Sequence, residues 1–374
     1  MVAKIQAKVN PETSLEDKIY GNAFNLVPEL GAVSLAKLRA FFGSYRLAWQ
    51  ASERDLLSCG LDAKKAEAII TKRNLIKPEQ SWEKLVSLGI KTVLLGEAAY
   101  PPLLAEISQP PPILYIRGDS SLLSYPGIAV VGSRKMSAYG KQATRELVET
   151  LAINKLTVIS GLAFGVDAEA HHATLSTGGM PIAVLASSLD NSSISPRANY
   201  LLAQKIIACG CLVSEYPLGY LVQKQNFPVR NRIISGLALG TLVVEADLES
   251  GALITAQNAL DQNREVFAVP GSIFSPTSQG TNDLIKRGAK LVTAAKDIIQ
   301  ELNLDLNLAS PKPLEAATEE ENELLAMLSA EPTHVDDLVR ALKKPVTEVN
   351  SILTMLELKN RIKNLGGSRY VKVR

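Results

Sequence analysis

Hydrophobic positions change their period along the chain. From about residue 15 to 73 they recur at helical spacing, and FNLVPELGAVSLAKLRAFFGSYRLAW and LLSCGLDAKKAEAII each predict a helix, a short turn with glycine and a second helix. From about 82 to 302 short apolar runs take over: KTVLL, PILYIRG, IAVVGSR, TVISGLA, PIAVLASS, CLVSEY, TLVVEA and EVFAVPG predict strands. Helical segments such as YGKQATRELVETLAIN and ANYLLAQKIIACG lie between most of the later ones. Strands without in–out alternation, joined by helices, imply a mostly parallel sheet covered on both faces, a doubly wound α/β architecture. From about 319, ENELLAMLSA, HVDDLVRALK and PVTEVNSILTMLELKN predict three helices, followed by RIKNL-GGS-RYVKV, an apolar and basic alternation around a Gly-Gly turn. Three helices and a basic hairpin make a winged helix, which serves a DNA groove or a protein partner equally well. Thr333 with Asp336 predicts a capping-box start for its second helix.

These changes of period divide the chain into a helical domain over 1–78, an α/β core over 79–302, a linker over 303–318 and a winged helix over 319–374. The linker is acidic and carries Pro311 and Pro313. A length of 374 residues exceeds one compact core, and 46% hydrophobic with 21% charged residues is the balance of a globular protein. The opening MVAKIQAKVNPETS has no apolar signal core and no run approaches a membrane span, so a cytoplasmic protein without membrane contact is expected. Cys59, Cys209 and Cys211 form no C-x-x-C pair and read as free thiols. The net charge of +2 announces no nucleic-acid partner, but its distribution is uneven: residues 341–374 carry Lys343, Lys344, Lys359, Arg361, Lys363, Arg369, Lys372 and Arg374 against Glu348 and Glu357. The helix hairpins near the N-terminus could present turn N–H groups to DNA phosphates or be purely structural.

The candidate chemistry sits where strands end. In IAVVGSRKMSAYGK (128–141) a buried strand runs into Gly132-Ser133-Arg134, and a helix pattern begins at about Ala138. Seven residues separate Gly132 from Gly140 and Lys141 precedes Gln142, so no Walker A loop is present; Arg134 and Ser137 occupy positions that a dinucleotide fingerprint gives to glycine. What remains is a hydroxyl, backbone N–H groups and a guanidinium beside a helix N-terminus, an anion site without a nucleotide signature. Ser160-Gly161, Ser187-Ser188, Ser214-Glu215, Glu245 and Pro270-Gly271 follow other strands, and in such sheets ligands bind at that edge. Arg134 either meets a phosphate or pairs with Glu215 or Glu245, and Ser133 completes the pocket, a role compatible with capping the helix. QKQNFPVRNR (223–232) puts Lys224, Phe227, Arg230 and Arg232 together, the composition of a single-strand platform, although Phe227 could be core and Arg232 could hold the fold. His171 and His172 lack a carboxylate or thiol at ligand spacing, so neither metal nor cofactor is expected, and no nucleophile elbow supports a triad; Asp167 and His171 would brace the helix after SGLAFG.

The motifs VGSRKMSAYG (131–140), SGLAFGVDAEAHHATL (160–175), SEYPLG (214–219), FPVRNRIISGL (227–237), VVEADLESGALITA (243–256), VFAVPGS (266–272) and SQGTNDLIKRGA (278–289) resemble, in order, the DprA/Smf family of bacterial DNA-processing proteins. The resemblance covers roughly residues 95–295 and extends less specifically to the flanks. It implies an extended Rossmann-like fold with an N-terminal helix-hairpin (SAM-like) domain and a C-terminal winged helix. It also implies a non-catalytic homodimer that binds and protects single-stranded DNA and helps load the RecA recombinase during natural transformation. Gly132, Ser133, Arg134, Gly161, Lys224, Phe227, Arg230 and Arg232 are the DNA-binding residues it points to. Where the family has G-x-G-L-D and Tyr-Pro, this chain has Ala186-Ser187-Ser188-Leu189-Asp190 and Ile194-Ser195-Pro196, so the loop after the third Rossmann strand is expected to differ. Glu245, Asp247 and Glu249 keep a rival reading in view, a Rossmann-type nucleotide hydrolase of the lysine-decarboxylase-like group, although no P-G-G-x-G-T loop accompanies them.

Overall fold

A computed structural model of the chain describes residues 14–304, 318–328, 332–358 and 361–372. Contacts divide the chain into two compact units, Met1–Ala309 and Ser310–Arg374. Most of the expected linker lies outside the described residues.

The first unit opens with six helices: α1 (Leu15–Asn25), α2 (Ala32–Phe42), α3 (Tyr45–Gln50), α4 (Glu53–Ser58), α5 (Ala63–Arg73) and α6 (Pro78–Ser87). Their boundaries follow from the sequence, since Ser14, Ser44, Ser52 and Asp62 accept N-cap hydrogen bonds. Gly43 and Gly60 turn the two hairpins at φ 76° and 85°, where a side chain would be strained. The apolar faces of these helices do not close on themselves. Phe24, Leu38, Tyr45, Trp49 and Ile69 share one core with Ile113, Tyr115, Ala183 and Leu212 of the sheet, so the boundary expected near residue 78 falls inside one compact unit.

The sheet comprises β1 (Ile90–Leu94), β2 (Ile113–Gly118), β3 (Gly127–Val131), β4 (Thr157–Ser160), β5 (Pro181–Val184), β6 (Cys211–Ser214), β7 (Gly240–Val243), β8 (Glu265–Ala268) and β9 (Lys290–Leu291). It is laid out β1-β2-β6-β5-β4-β3-β7-β8-β9. From β6 to β9 every pairing is parallel, and β1 and β2 form an antiparallel edge. The helices are α7 (Pro102–Ala105), α8 (Ala138–Ile153), α9 (Val166–Ser176), α10 (Tyr200–Cys209), α11 (Asn226–Gly236), α12 (Gly251–Asp261), α13 (Gln279–Lys286) and α14 (Ala295–Glu301). Alternation is missing from the central strands because both faces are buried: Ala129 and Val131 of β3 enter one core, Ile128 and Val130 the other. The strand β9 has two residues, too few for a pattern to show. Because β3 pairs with both β4 and β7, the winding direction reverses there, and the crevice at the carboxyl ends of β3 and β7 is the topological switch point.

The second unit contains α15 (Glu319–Met327), β10 (Thr333–His334), α16 (Val335–Leu342), α17 (Val346–Leu358), β11 (Ile362–Asn364) and β12 (Arg369–Lys372) around Leu324, Leu338, Val349, Leu353 and Leu356. This is the winged helix, with β10 as a third strand against β12. Gly366 and Gly367 make the wing turn at φ 86° and 58°. The start of α16 differs from expectation. Its N-cap is His334, whose Nδ1 accepts from the Asp336 N–H at 3.2 Å, while Thr333 is held in β10 opposite Tyr370.

Candidate nucleic-acid interface

The carboxyl ends of β3 and β7 open into a cleft of about 730 Å³. One wall carries Gly132, Ser133, Arg134 and Lys135, the other Asp247, Leu248, Glu249 and Ser250, with Phe227, Pro228 and Asn231 of α11 between them. The expected anion seat at the start of α8 is already filled. Glu245, 2% exposed, directs Oε2 to the Ser137 N–H at 2.8 Å, and its Oε1 accepts from the hydroxyls of Ser137 at 2.6 Å and Thr277 at 3.0 Å. A carboxylate therefore sits where a phosphate would meet the helix N-terminus. Ser137, not Ser133, caps α8, accepting from the Gly140 N–H. The Ser133 N–H is spent on the Glu245 carbonyl at 2.7 Å, and the Ser133 hydroxyl accepts from the Lys135 N–H. A Cβ at Gly140 would stand 2.1 Å from Glu245 Oε2, and one at Gly132 would stand 2.6 Å from Val166 Cγ2, so these glycines make room for packing.

The floor holds a buried guanidinium and a buried carboxylate, each bound to backbone and each bearing on the other electrostatically. Arg230, 3% exposed, donates to the carbonyls of Gly161, at 2.8 Å, and Val184. Asp167, 6% exposed, accepts from the N–H groups of Gly161 at 3.1 Å and Ala163 at 3.3 Å. Burial lowers Arg230 to about 10, with Asp167 opposing and Arg134 adding to that shift, and burial raises Asp167 against the pull of Arg230. Both backbone groups of Gly161 are thus consumed, and a Cβ there would meet the guanidinium at 2.5 Å. Beside this pair His171 is fully buried, and neither ring nitrogen has a hydrogen-bond partner among the described residues. Burial, then His172 and Arg230, pushes it down to about 3, so it is neutral. Among the described residues no group of three or more His, Cys, Asp or Glu could hold a metal ion.

The rim is different. Arg134 is exposed, its guanidinium carbon stands 4.8 Å from the centroid of the half-buried Phe227 ring, and it makes no ion pair among the described residues. Both acids that might have neutralised it are engaged elsewhere. Glu245 clasps α8, and Glu215 holds Arg232 through two bonds of 2.8 and 2.7 Å. Lys135 and Lys224 are also exposed, Lys224 in the loop that leads into α11.

The family model for DNA recombination-mediator protein A matches residues 91–303, and that for the DprA winged helix domain matches 309–368. Protein Smf of Escherichia coli is 43% identical over 284 residues, 74% of this chain and 75% of that protein. Protein Smf of Synechocystis is 32% identical across 95% of this chain and 98% of its own. The X-ray structure of DNA processing protein A from Streptococcus pneumoniae superposes with a TM-score of 0.67 at 32% identity, covering 78% of this chain and 99% of that one. The chain belongs to the DNA recombination-mediator protein A family. A Helicobacter pylori structure of DNA processing protein A, which concerns its single-stranded DNA binding mode, matches with a TM-score of 0.52 at 31% identity over 58% of this chain and 97% of that one.

The residues named from sequence separate into two groups. Arg134, Phe227 and Ser133 meet at the cleft, and Lys224 is exposed in the loop before Phe227. Arg230, expected to neutralise a phosphate, lines the cleft only at its buried floor, with its guanidinium on the carbonyls of Gly161 and Val184. Arg232, besides its two bonds to Glu215, donates to the carbonyls of Gln109 and Val229 and joins α11 to the end of β6. Gly161 has no free donor for an anion. Sequence reasoning passed over Lys135, adjacent to Arg134 in the quoted motif, and Leu248 and Ser250, which the order of strands alone brings opposite β3. The altered loop after β5 is closed by its own polar groups. Asp190 accepts from Ser188, Ser192, Ser193 and the Gly219 N–H, and although burial alone would raise it these bonds hold it at about 2.

Proposed function

We propose that this cleft binds single-stranded DNA without sequence preference, and that the protein, acting as a homodimer, shields the strand and passes it to a RecA-type recombinase in transformation. The observation that carries the reading is Arg134: an exposed guanidinium, without an ion pair among the described residues, stacked on an accessible aromatic ring at the switch point of an α/β sheet. Such a pair offers a phosphate contact and a base platform within one nucleotide's reach, and neither discriminates among bases. Lys135 and Lys224 extend the positive rim along the backbone path. The relative from Helicobacter pylori, studied for its single-stranded DNA binding, supports the same ligand class.

Hydrolysis of a nucleotide fits the geometry less well. Both oxygens of Glu245, the residue a hydrolase reading would use, are engaged by Ser137 and Thr277, and its carboxylate is buried below the loop. The test is fluorescence anisotropy of a labelled dT oligomer against wild type and Arg134→Ala, with duplex DNA as competitor. Selective single-strand binding that Arg134→Ala weakens supports the reading; equal affinity for duplex, or no effect of the substitution, overturns it. Incubation with AMP supplies the second check, since adenine release lost in Glu245→Gln would favour hydrolysis.

A further inference from the structure

Among the described residues the most exposed large apolar side chain is Phe274, at 89%, and its neighbour Ile273 is exposed by 77%. Exposure of this kind usually marks a mobile tip, yet this loop is held from several sides. Tyr139 donates its hydroxyl to the Pro270 carbonyl at 2.6 Å, and Asn282 brackets Gly271 through both its amide atoms. The Phe274 N–H donates to the Ser272 hydroxyl and the Ser275 N–H to the Ser272 carbonyl. On the far side the Thr277 hydroxyl reaches Glu245 and the Thr277 carbonyl accepts from the Ala246 N–H at 2.8 Å. The backbone therefore presents Ile273 and Phe274 on a fixed spur. Burying neither costs the fold the hydrophobic gain both could supply, which is the signature of a surface kept for a ligand.

The position of the spur indicates which ligand. It follows β8, and the order β3-β7-β8 sets its root two strand spacings, roughly 10 Å, from the loop that carries Arg134. Through Thr277 the same loop holds Glu245, whose carbonyl accepts from the Ser133 N–H of the cleft wall, and it leads into Gln279, which lines the cleft. Tyr139, 50% exposed at the start of α8, is tied to the root of the same loop by its hydroxyl on the Pro270 carbonyl. Residues 269–278, VPGSIFSPTS, carry no charge, so the spur offers stacking surface without a phosphate contact of its own. We infer that Phe274 is a second base-stacking platform that takes a nucleobase of a single strand leaving the cleft at Arg134 and Phe227.

This rests on the single-strand reading of the cleft, and oligomer length tells the two apart. A labelled dT dinucleotide, too short to reach from the cleft to the spur, and a dT oligomer of about 16 nucleotides, at the upper end of single-strand site sizes, are titrated against wild type, Phe274→Ala and Phe227→Ala full-length protein. Phe227→Ala weakens both lengths. Phe274→Ala leaves the short oligomer's affinity unchanged and weakens the long one about tenfold, within the range for one stacked base. Phe274→Trp retains the affinity, and its emission is quenched by the long oligomer and not by the short one. If wild type binds neither length, the cleft reading and this one fall together. If wild type binds both and Phe274→Ala holds the long oligomer equally well, or the Phe274→Trp emission does not respond, the platform alone is wrong. A lower molar mass of Phe274→Ala in light scattering, with its long-oligomer affinity restored at concentrations that restore the mass, would assign the spur to a second copy of this chain and overturn the inference.

Discussion

Arg134 and Arg230 line the same cleft and bear on each other electrostatically, yet they belong to different regions of it. Arg230 is on the floor, enclosed by the carbonyls of Gly161 and Val184 and by Asp167, and has little left to offer a ligand. Arg134 is on the rim, exposed over Phe227, with Glu215 and Glu245 both committed elsewhere. A guanidinium whose donors are satisfied by the fold organises a site, and one the fold leaves unsatisfied can bind. The residue type is the same, and burial with partner supply decides which role it takes.

The floor should show the larger effects on stability. Removing Arg230 leaves the buried carbonyls of Gly161 and Val184 without their donor and Asp167 without the positive charge that opposes its burial, so Arg230→Ala is expected to lower the unfolding free energy by about 1–3 kcal/mol in urea titration. A change under about 0.5 kcal/mol would place Arg230 with the rim instead. Phe227→Ala sharpens the other side. It should cost about 1–3 kcal/mol of single-strand affinity, while its urea midpoint stays near wild type because the ring is only half-buried.

The floor also sets a pH dependence. His171 is held at about 3 in the folded protein against 6.5 ordinarily, so between these values the unfolded chain binds more protons and stability falls on acidification. Wild type should lose up to about 1.4 kcal/mol per pH unit more than His171→Leu in this window. Asp167, raised by burial, works in the opposite sense in the carboxylate range: the folded state holds its proton longer, and that contribution is lost as pH rises. Equal acid sensitivity of wild type and His171→Leu would remove His171 from the account.

Much of the fold was legible in the chain because it is written locally. The eight apolar runs from KTVLL to EVFAVPG are strands, the glycines at 43 and 60 turn the helix hairpins, and the Gly366-Gly367 wing follows the third winged-helix segment. The division of labour in the cleft was not legible. FPVRNR gives Phe227, Arg230 and Arg232 equal claim to a ligand, and the separation comes from helical phase on α11, which turns Arg230 inward and Arg232 towards Glu215. Glu245 closes the α8 terminus across 108 positions of sequence, a contact that no local pattern announces. The capping residue of α16 shifted from Thr333 to His334 because strand pairing with Tyr370 claimed Thr333 first.

The smallest expected effect is the most direct test of the rim. The slope of log affinity against log salt should be measured for a dT oligomer with wild type and Arg134→Ala, alongside the urea midpoint of each. The account predicts a slope shallower by about 0.7 in the variant, the loss of one phosphate contact on a single strand, at an unchanged midpoint. An unchanged slope, or a midpoint shift like that of Arg230→Ala, would contradict it and make Arg134 another part of the floor.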